Sequence, residues 1–202
     1  MSYLIYDTET TGLEPPYNLL TAYFLVVDDN YKELGHLDLK VKPDNGQYIV
    51  HPKALAVNKI SLADHDQNAL TYSTARDMVC EFLAKHSKIG KNMLTPVGHN
   101  VFFDETFVKH YLVPPNIWGK YVSHRKICTQ VIANFLKLSG HFPADLSVSL
   151  DSLRGYYKLS AEDAHTAKQD VLDTLTVLVK MSNMVSLEGA AKVPVASGSK
   201  KR

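Results

Sequence analysis

The chain has 202 residues, 45% hydrophobic and 21% charged, and its 22 Lys and Arg against 21 Asp and Glu leave a formal net charge of +1. This composition fits a globular domain large enough to bury a layered core, and it excludes collagen-like, disordered and disulfide-framework chains. The two cysteines, Cys80 and Cys128, form no C-x-x-C pair, and no apolar run approaches the roughly 20 residues of a membrane span. Met1 to Tyr6 lacks a basic start and is followed at once by Asp7, so a cytoplasmic chain without a signal peptide or membrane contact is expected.

Tyr3-Leu4-Ile5-Tyr6 is a short apolar run closed by Thr10-Thr11-Gly12, and it predicts a buried strand entering a turn. Leu19 to Val27 and Leu34 to Val41, separated by Asp28-Asp29-Asn30, predict a hairpin. After a Pro43-Asp44-Asn45-Gly46 turn the period changes, and Ala75, Met78, Val79, Phe82 and Leu83 predict a helix over 72–86. A strand over 96–101 and a helix from Asp104 to Leu112 follow, the helix being stopped by Val113-Pro114-Pro115-Asn116. A brief strand is expected near Tyr121 to His124, then a helix over 127–138, a loop over 140–147, and helices over 150–157 and from Thr166 to Met181. The expected organisation is one domain over 1–185 and a flexible tail over 186–202, rich in Gly, Ala and Ser. A hairpin followed by alternating strands and helices implies an α/β fold with a mixed sheet flanked by helices.

Asp7 and Glu9 sit two apart at the end of the first strand, so the pleat turns both carboxylates to one face. Like charges held together raise each other's pKa unless a cation lies between them, and hard oxygen ligands favour Mg²⁺ or Mn²⁺. Asp104 precedes Phe107 and Val108 by three and four positions, which puts it on the inward side of its helix; as a first-turn acid it would also cap that helix. His99-Asn100 ends a strand, where open α/β sheets place ligand-binding groups. His165 and Asp170 stand five positions apart at the start of the last long helix, with Asp173 one turn beyond as an alternative ligand. Lys120, His124, Arg125, Lys126 and the terminal Lys200 to Arg202 could track a phosphate backbone, with Trp118 and Tyr121 available to stack on bases.

The ordered set Asp7-Thr8-Glu9-Thr10-Thr11-Gly12-Leu13, His99-Asn100-Val101-Phe102-Phe103-Asp104, and His165 with Asp170 resembles the DEDDh family of 3′-to-5′ exonucleases. That family includes polymerase proofreading subunits, ribonuclease T and oligoribonuclease. The resemblance covers residue 3 to about residue 181. It implies a ribonuclease-H-like fold with a five-stranded mixed sheet. It also implies that Asp7, Glu9, Asp104 and Asp170 hold two divalent ions, Mg²⁺ or Mn²⁺, while His165 acts as general base toward the attacking water. By the same resemblance, Thr10, Thr11 and Leu13 meet the terminal nucleotide, and Asn100 and Phe103 flank the substrate. The implied partner is the 3′ end of single-stranded DNA or RNA, with a homodimer or a polymerase as further company. At Cys128-Thr129 many relatives carry an Asp-Thr pair, a departure that touches no metal ligand. The competing expectations on this scaffold are a catalytically silent nucleic-acid-binding subunit and an endonuclease acting on internal bonds.

Overall fold

In the computed structural model, residues 1–87, 92–160 and 165–188 are described, the side chains of 186–188 excepted. The sheet begins with β1 (Tyr3–Thr10), β2 (Leu19–Val27) and β3 (Glu33–Lys42), an antiparallel meander. The β2–β3 turn forms where Asp28-Asp29-Asn30 predicts it, because the Asp28 carboxylate accepts from the Asn30 and Lys32 N–H groups at 2.8 and 2.9 Å. Along β3, Leu37, Leu39 and Val41 turn inward while Asp38 and Lys40 turn outward, the alternation of a strand covered on one face.

Two helices absent from the sequence reading come next, α1 (Pro52–Asn58) and α2 (Leu62–Asn68). At seven residues each they are too short for an apolar period to show, and only their caps mark them. Pro52 starts α1 with His51 Nδ1 accepting from Lys53 N–H at 3.3 Å, and Ser61 caps α2 through Asp64 N–H. The two-residue β4 (Leu70–Thr71) leads into α3 (Tyr72–His86), the expected long helix.

Strand β5 (Thr95–Gly98) then joins β1 in parallel, and α4 (Val101–Phe107) starts three residues before the expected position, closing in a π-helical turn over Val108–Leu112. Helix α5 (Pro115–Tyr121), whose first turn Pro115 fits, takes in Tyr121 of the strand expected at 121–124, and of that strand a single bridge between Leu94 and Val122 remains. Ile127–Cys128 is β6, followed by α6 (Thr129–Leu138), α7 (Leu150–Tyr157) and α8 (Ala167–Glu188). Helix α8 passes the domain end expected at 185, and the rest of the expected tail, 189–202, lies outside the described residues.

The sheet order is β4-β3-β2-β1-β5-β6, so the architecture is the expected mixed α/β one, with six strands rather than five because the short β4 is added at the edge. β1 sits at the centre and is packed on both faces. One face buries Leu4, Tyr6 and Phe24 against Val79, Leu83, Phe107 and Trp118; the other buries Ile5, Tyr23 and Leu25 against Val171 and Leu178 of α8. A third apolar cluster locks α6, α7 and α8 together through Leu136, Leu153, Val177 and Met181. Among the described residues no helix is long and apolar enough to cross a membrane. The thiols of Cys80, half-buried, and Cys128, buried, are unpaired.

Candidate active site

The pleat of β1 points Ile5, Asp7 and Glu9 toward α8, and Asp170 stands in the first turn of that helix. The three carboxylates Asp7, Glu9 and Asp170 converge so that one ligand oxygen of each lies within 4.8 Å of the others. The pairing of β1 with β2 shifts register between Glu9 and Thr10, where Leu20 of β2 is passed over.

Asp104 reaches the same place from α4. It is 2% exposed, and its Oδ1 accepts from the Thr8 N–H at 2.9 Å and the Thr8 hydroxyl at 2.7 Å. The structure therefore brings together all four carboxylates that the sequence singles out. Asp7, Glu9 and Asp170 form the tight group, and Asp104 is close enough that its charge pushes up the pKa of Asp7.

Burial is the first cause of every shift in this cluster, and mutual repulsion adds to it. Asp7 is raised well above the usual carboxylate range by burial and then by the charges of Asp104, Asp170 and Glu9. Burial, with Asp170 and Asp104, carries Glu9 up to about 8. Asp104 is carried up to about 7 by burial, although both Thr8 hydrogen bonds pull the other way. Asp170 is raised by burial, with Arg154 opposing. An all-oxygen donor set in which the anions repel one another fits a hard divalent cation such as Mg²⁺ or Mn²⁺.

His165 lies just ahead of α8 with φ at +67°, a left-handed backbone that costs a non-glycine residue on the order of 1 kcal/mol. Its N–H donates to Asp170 Oδ1 at 3.2 Å, and its imidazole, 38% exposed, places Nε2 3.8 Å from Asp151 Oδ2. His99, the other histidine five positions ahead of an aspartate, is different. Burial pushes its imidazole down to about 4, and its Nδ1 lies 3.0 Å from Thr129 Oγ1.

Two cavities flank Glu9. The smaller, about 540 Å³, is lined by Thr10, Gly12, Leu13, Tyr17, Asn58 and Phe103 among others. Leu13 stands at its edge, 84% exposed. Gly12 is required there, since a Cβ would meet Tyr17 Cγ at 2.1 Å. Thr10, Leu13 and Phe103, three of the residues expected beside the substrate, line this cavity. Thr11 is fully buried, its N–H donating to the Asn18 carbonyl at 2.8 Å and its hydroxyl to the Ile49 carbonyl at 2.5 Å, so its bonds hold the loop. Asn100 sits at φ +64° as the residue before α4, a conformation asparagine tolerates. The larger cavity, about 860 Å³, opens on the other side of Glu9 and contains His165, Thr166, Lys168 and Lys40 in its wall.

The stacking role considered for Trp118 is corrected. Its ring is 2% exposed, packed edge-on against Tyr6 and donating Nε1–H to Glu105 Oε1 at 3.2 Å, because α5 turns it into the core. Lys126, from the basic run, is held by an ion pair to the buried Glu105 and lies over the Phe102 ring. Lys200 to Arg202 lie outside the described residues.

The sequence reading missed Asn58, whose amide donates to the Thr10 carbonyl at 3.1 Å, and the buried Arg154, which ion-pairs with Asp170. The sequence signal for Arg154 was the pair of one-turn spacings, Asp151 to Arg154 and Asp170 to Asp173, on consecutive helices.

No curated protein matches this sequence as a relative. Solved structures share the fold: E. coli exonuclease I bound to a dT13 oligonucleotide superposes with a TM-score of 0.73 at 18% identity, over 93% of this chain and 42% of that one. The zinc-bound form of the E. coli enzyme with single-stranded DNA gives 0.73 at 20% identity over 93% and 41%, as does the moderately thermophilic exonuclease I of Methylocaldum szegediense. The chain therefore spans about two fifths of the length of these structural neighbours. The exonuclease family model of the RNase T type matches residues 4–178, which holds both β1 carboxylates, Asp104, His165 and Asp170, and the chain belongs to that exonuclease family.

Proposed function

We propose that this chain is a divalent-metal-dependent 3′-to-5′ exonuclease that removes nucleoside 5′-monophosphates from single-stranded nucleic acid. The observation that carries the reading is the convergence of Asp7, Glu9 and Asp170 beside buried Asp104, next to a cavity of about 540 Å³ edged by exposed Leu13. That volume suits a single nucleotide. The neighbours with this fold include exonuclease I bound to single-stranded oligonucleotides, which supports a single strand as substrate.

In this reaction water attacks the terminal phosphodiester phosphorus, the P–O3′ bond breaks, and the shortened strand keeps a 3′-hydroxyl. Asp7, Glu9, Asp104 and Asp170 would hold the ions, a pair of them in the two-ion reading. Ions held there would supply positive charge against the negative charge that develops at the reacting phosphate. His165, half-exposed and in the wall of the cavity beyond Glu9, takes the proton of the attacking water at its imidazole. Leu13 and Phe103 enclose the terminal base, and Asn58 holds the Thr10 carbonyl in place behind it.

Matched 3′-labelled and 5′-labelled single-stranded DNA and RNA, incubated with Mg²⁺, Mn²⁺ or EDTA, test the reading beside His165→Ala. Metal-dependent release of mononucleotides from the 3′ end, lost in the variant, is expected. Cleavage of a circular single strand would replace it with an endonuclease, and binding without cleavage with a silent subunit.

A further inference from the structure

We infer that Arg154 is the positioning residue of the third acidic motif, a single buried guanidinium that sets the carboxylate of Asp170 directly and the imidazole of His165 through Asp151. The inference rests on the exonuclease reading above and names a part of its machinery.

The Arg154 side chain is 4% exposed, and each of its three nitrogens meets a different carboxylate. Nη2 donates to Asp170 Oδ1 at 2.5 Å, Nε to Asp173 Oδ2 at 2.5 Å, and Nη1 to Asp151 Oδ1 at 2.6 Å. The other oxygen of Asp151, Oδ2, faces His165 Nε2 at 3.8 Å. Asp170 Oδ1 accepts from the His165 N–H as well, so the expected base and the expected metal ligand are tied to one charged centre by two routes.

The planar fork fixes these directions. A guanidinium presents its donors in one plane at set angles, whereas an ammonium supplies the same charge without the angles. Both partners stand on rigid ground. Asp151 and Arg154 are one turn apart on α7, Asp170 and Asp173 one turn apart on α8, and the two helices are locked by Leu153, Val177 and Met181. Gln169 Nε2 donates to Asp173 Oδ1 at 2.9 Å and steadies the far side of the fork. Asp170 is thereby held in the rotamer that brings it within ligand range of Asp7 and Glu9, and His165 is held facing the larger cavity.

The test uses the full chain with Arg154→Lys and Asp151→Asn, each checked for folding by circular dichroism. Mn²⁺ binding is read without substrate from the electron paramagnetic resonance of the free ion, and turnover on a single-stranded oligonucleotide is split into kcat and KM. For Arg154→Lys the Mn²⁺ Kd is expected to rise ~10-fold or more, and kcat to fall with KM changed by less than about threefold. For Asp151→Asn, whose carboxylate is 59% exposed, Mn²⁺ affinity is expected to stay while kcat falls ~10-fold and the His165 ring resonances move. Wild-type Mn²⁺ affinity and kcat in a folded Arg154→Lys protein overturn the positioning role. If that variant does not fold, Asp151→Asn decides, and wild-type kcat with unmoved His165 resonances overturns it. A wild-type protein that neither binds Mn²⁺ nor cleaves overturns the exonuclease reading itself.

Discussion

Asp104 Oδ1 takes two hydrogen bonds from one residue, the N–H of Thr8 at 2.9 Å and its hydroxyl at 2.7 Å. Thr8 stands between Asp7 and Glu9 and points to the opposite face of the sheet, so it pins α4 to the strand that carries two of the other carboxylates.

Thr8→Val keeps the side-chain shape and removes the hydroxyl donor. Leaving a buried carboxyl short of one bond is expected to cost about 1–3 kcal/mol, read as a lowered urea midpoint with unchanged m-value. A wild-type midpoint would show that the backbone bond alone secures α4.

Metal removal is expected to make stability fall as pH rises. In the folded chain Glu9 titrates near 8 and Asp104 near 7, both above their ordinary range, so the native state binds more protons than the unfolded one between about pH 4 and pH 8. These groups favour folding below that window, and the contribution is lost as pH climbs through it. Thermal melts in EDTA across pH 5 to about 8.5 should decline, and Mn²⁺ should reverse the decline at the alkaline end by binding the native state. A flat profile in EDTA would contradict the crowding of charge.

Asp7→Asn is expected to separate stability from activity. Removing one charge from a buried cluster of like charges relieves repulsion, so the melting temperature in EDTA should rise or hold at pH 8. Under the proposed reaction, nuclease turnover should fall ~100-fold or more, since one of the carboxylates that would hold the ions is gone. Retained turnover would remove Asp7 from the site.

Leu13→Ala addresses the substrate side. The side chain is 84% exposed, so unfolding free energy should change by less than ~0.5 kcal/mol, while KM for a single-stranded oligonucleotide rises several-fold. An unchanged KM would move the terminal base out of the smaller cavity.

The sequence by itself determined the central strand, the hairpin and the long helices, and it put Asp7 and Glu9 on one face of that strand, because these rest on periods and spacings that a chain carries locally, whereas His165 and Asp170 were singled out through the family resemblance. Helices α1 and α2 stayed hidden because seven residues give too few repeats, and with α1 went Asn58 and one wall of the smaller cavity. Trp118 could be read as exposed until α5 was seen to turn it inward beside Tyr6. Spacing alone leaves Asp170 and Asp173 equivalent, and only the tertiary structure tells them apart by distance. The two are one turn apart and chemically identical, and the docking of α7 on α8 pairs both with the buried Arg154, but it is Asp170 that comes within 4.8 Å of the Asp7 and Glu9 carboxylate oxygens. Long-range packing places charges relative to one another, and no local period encodes that distance.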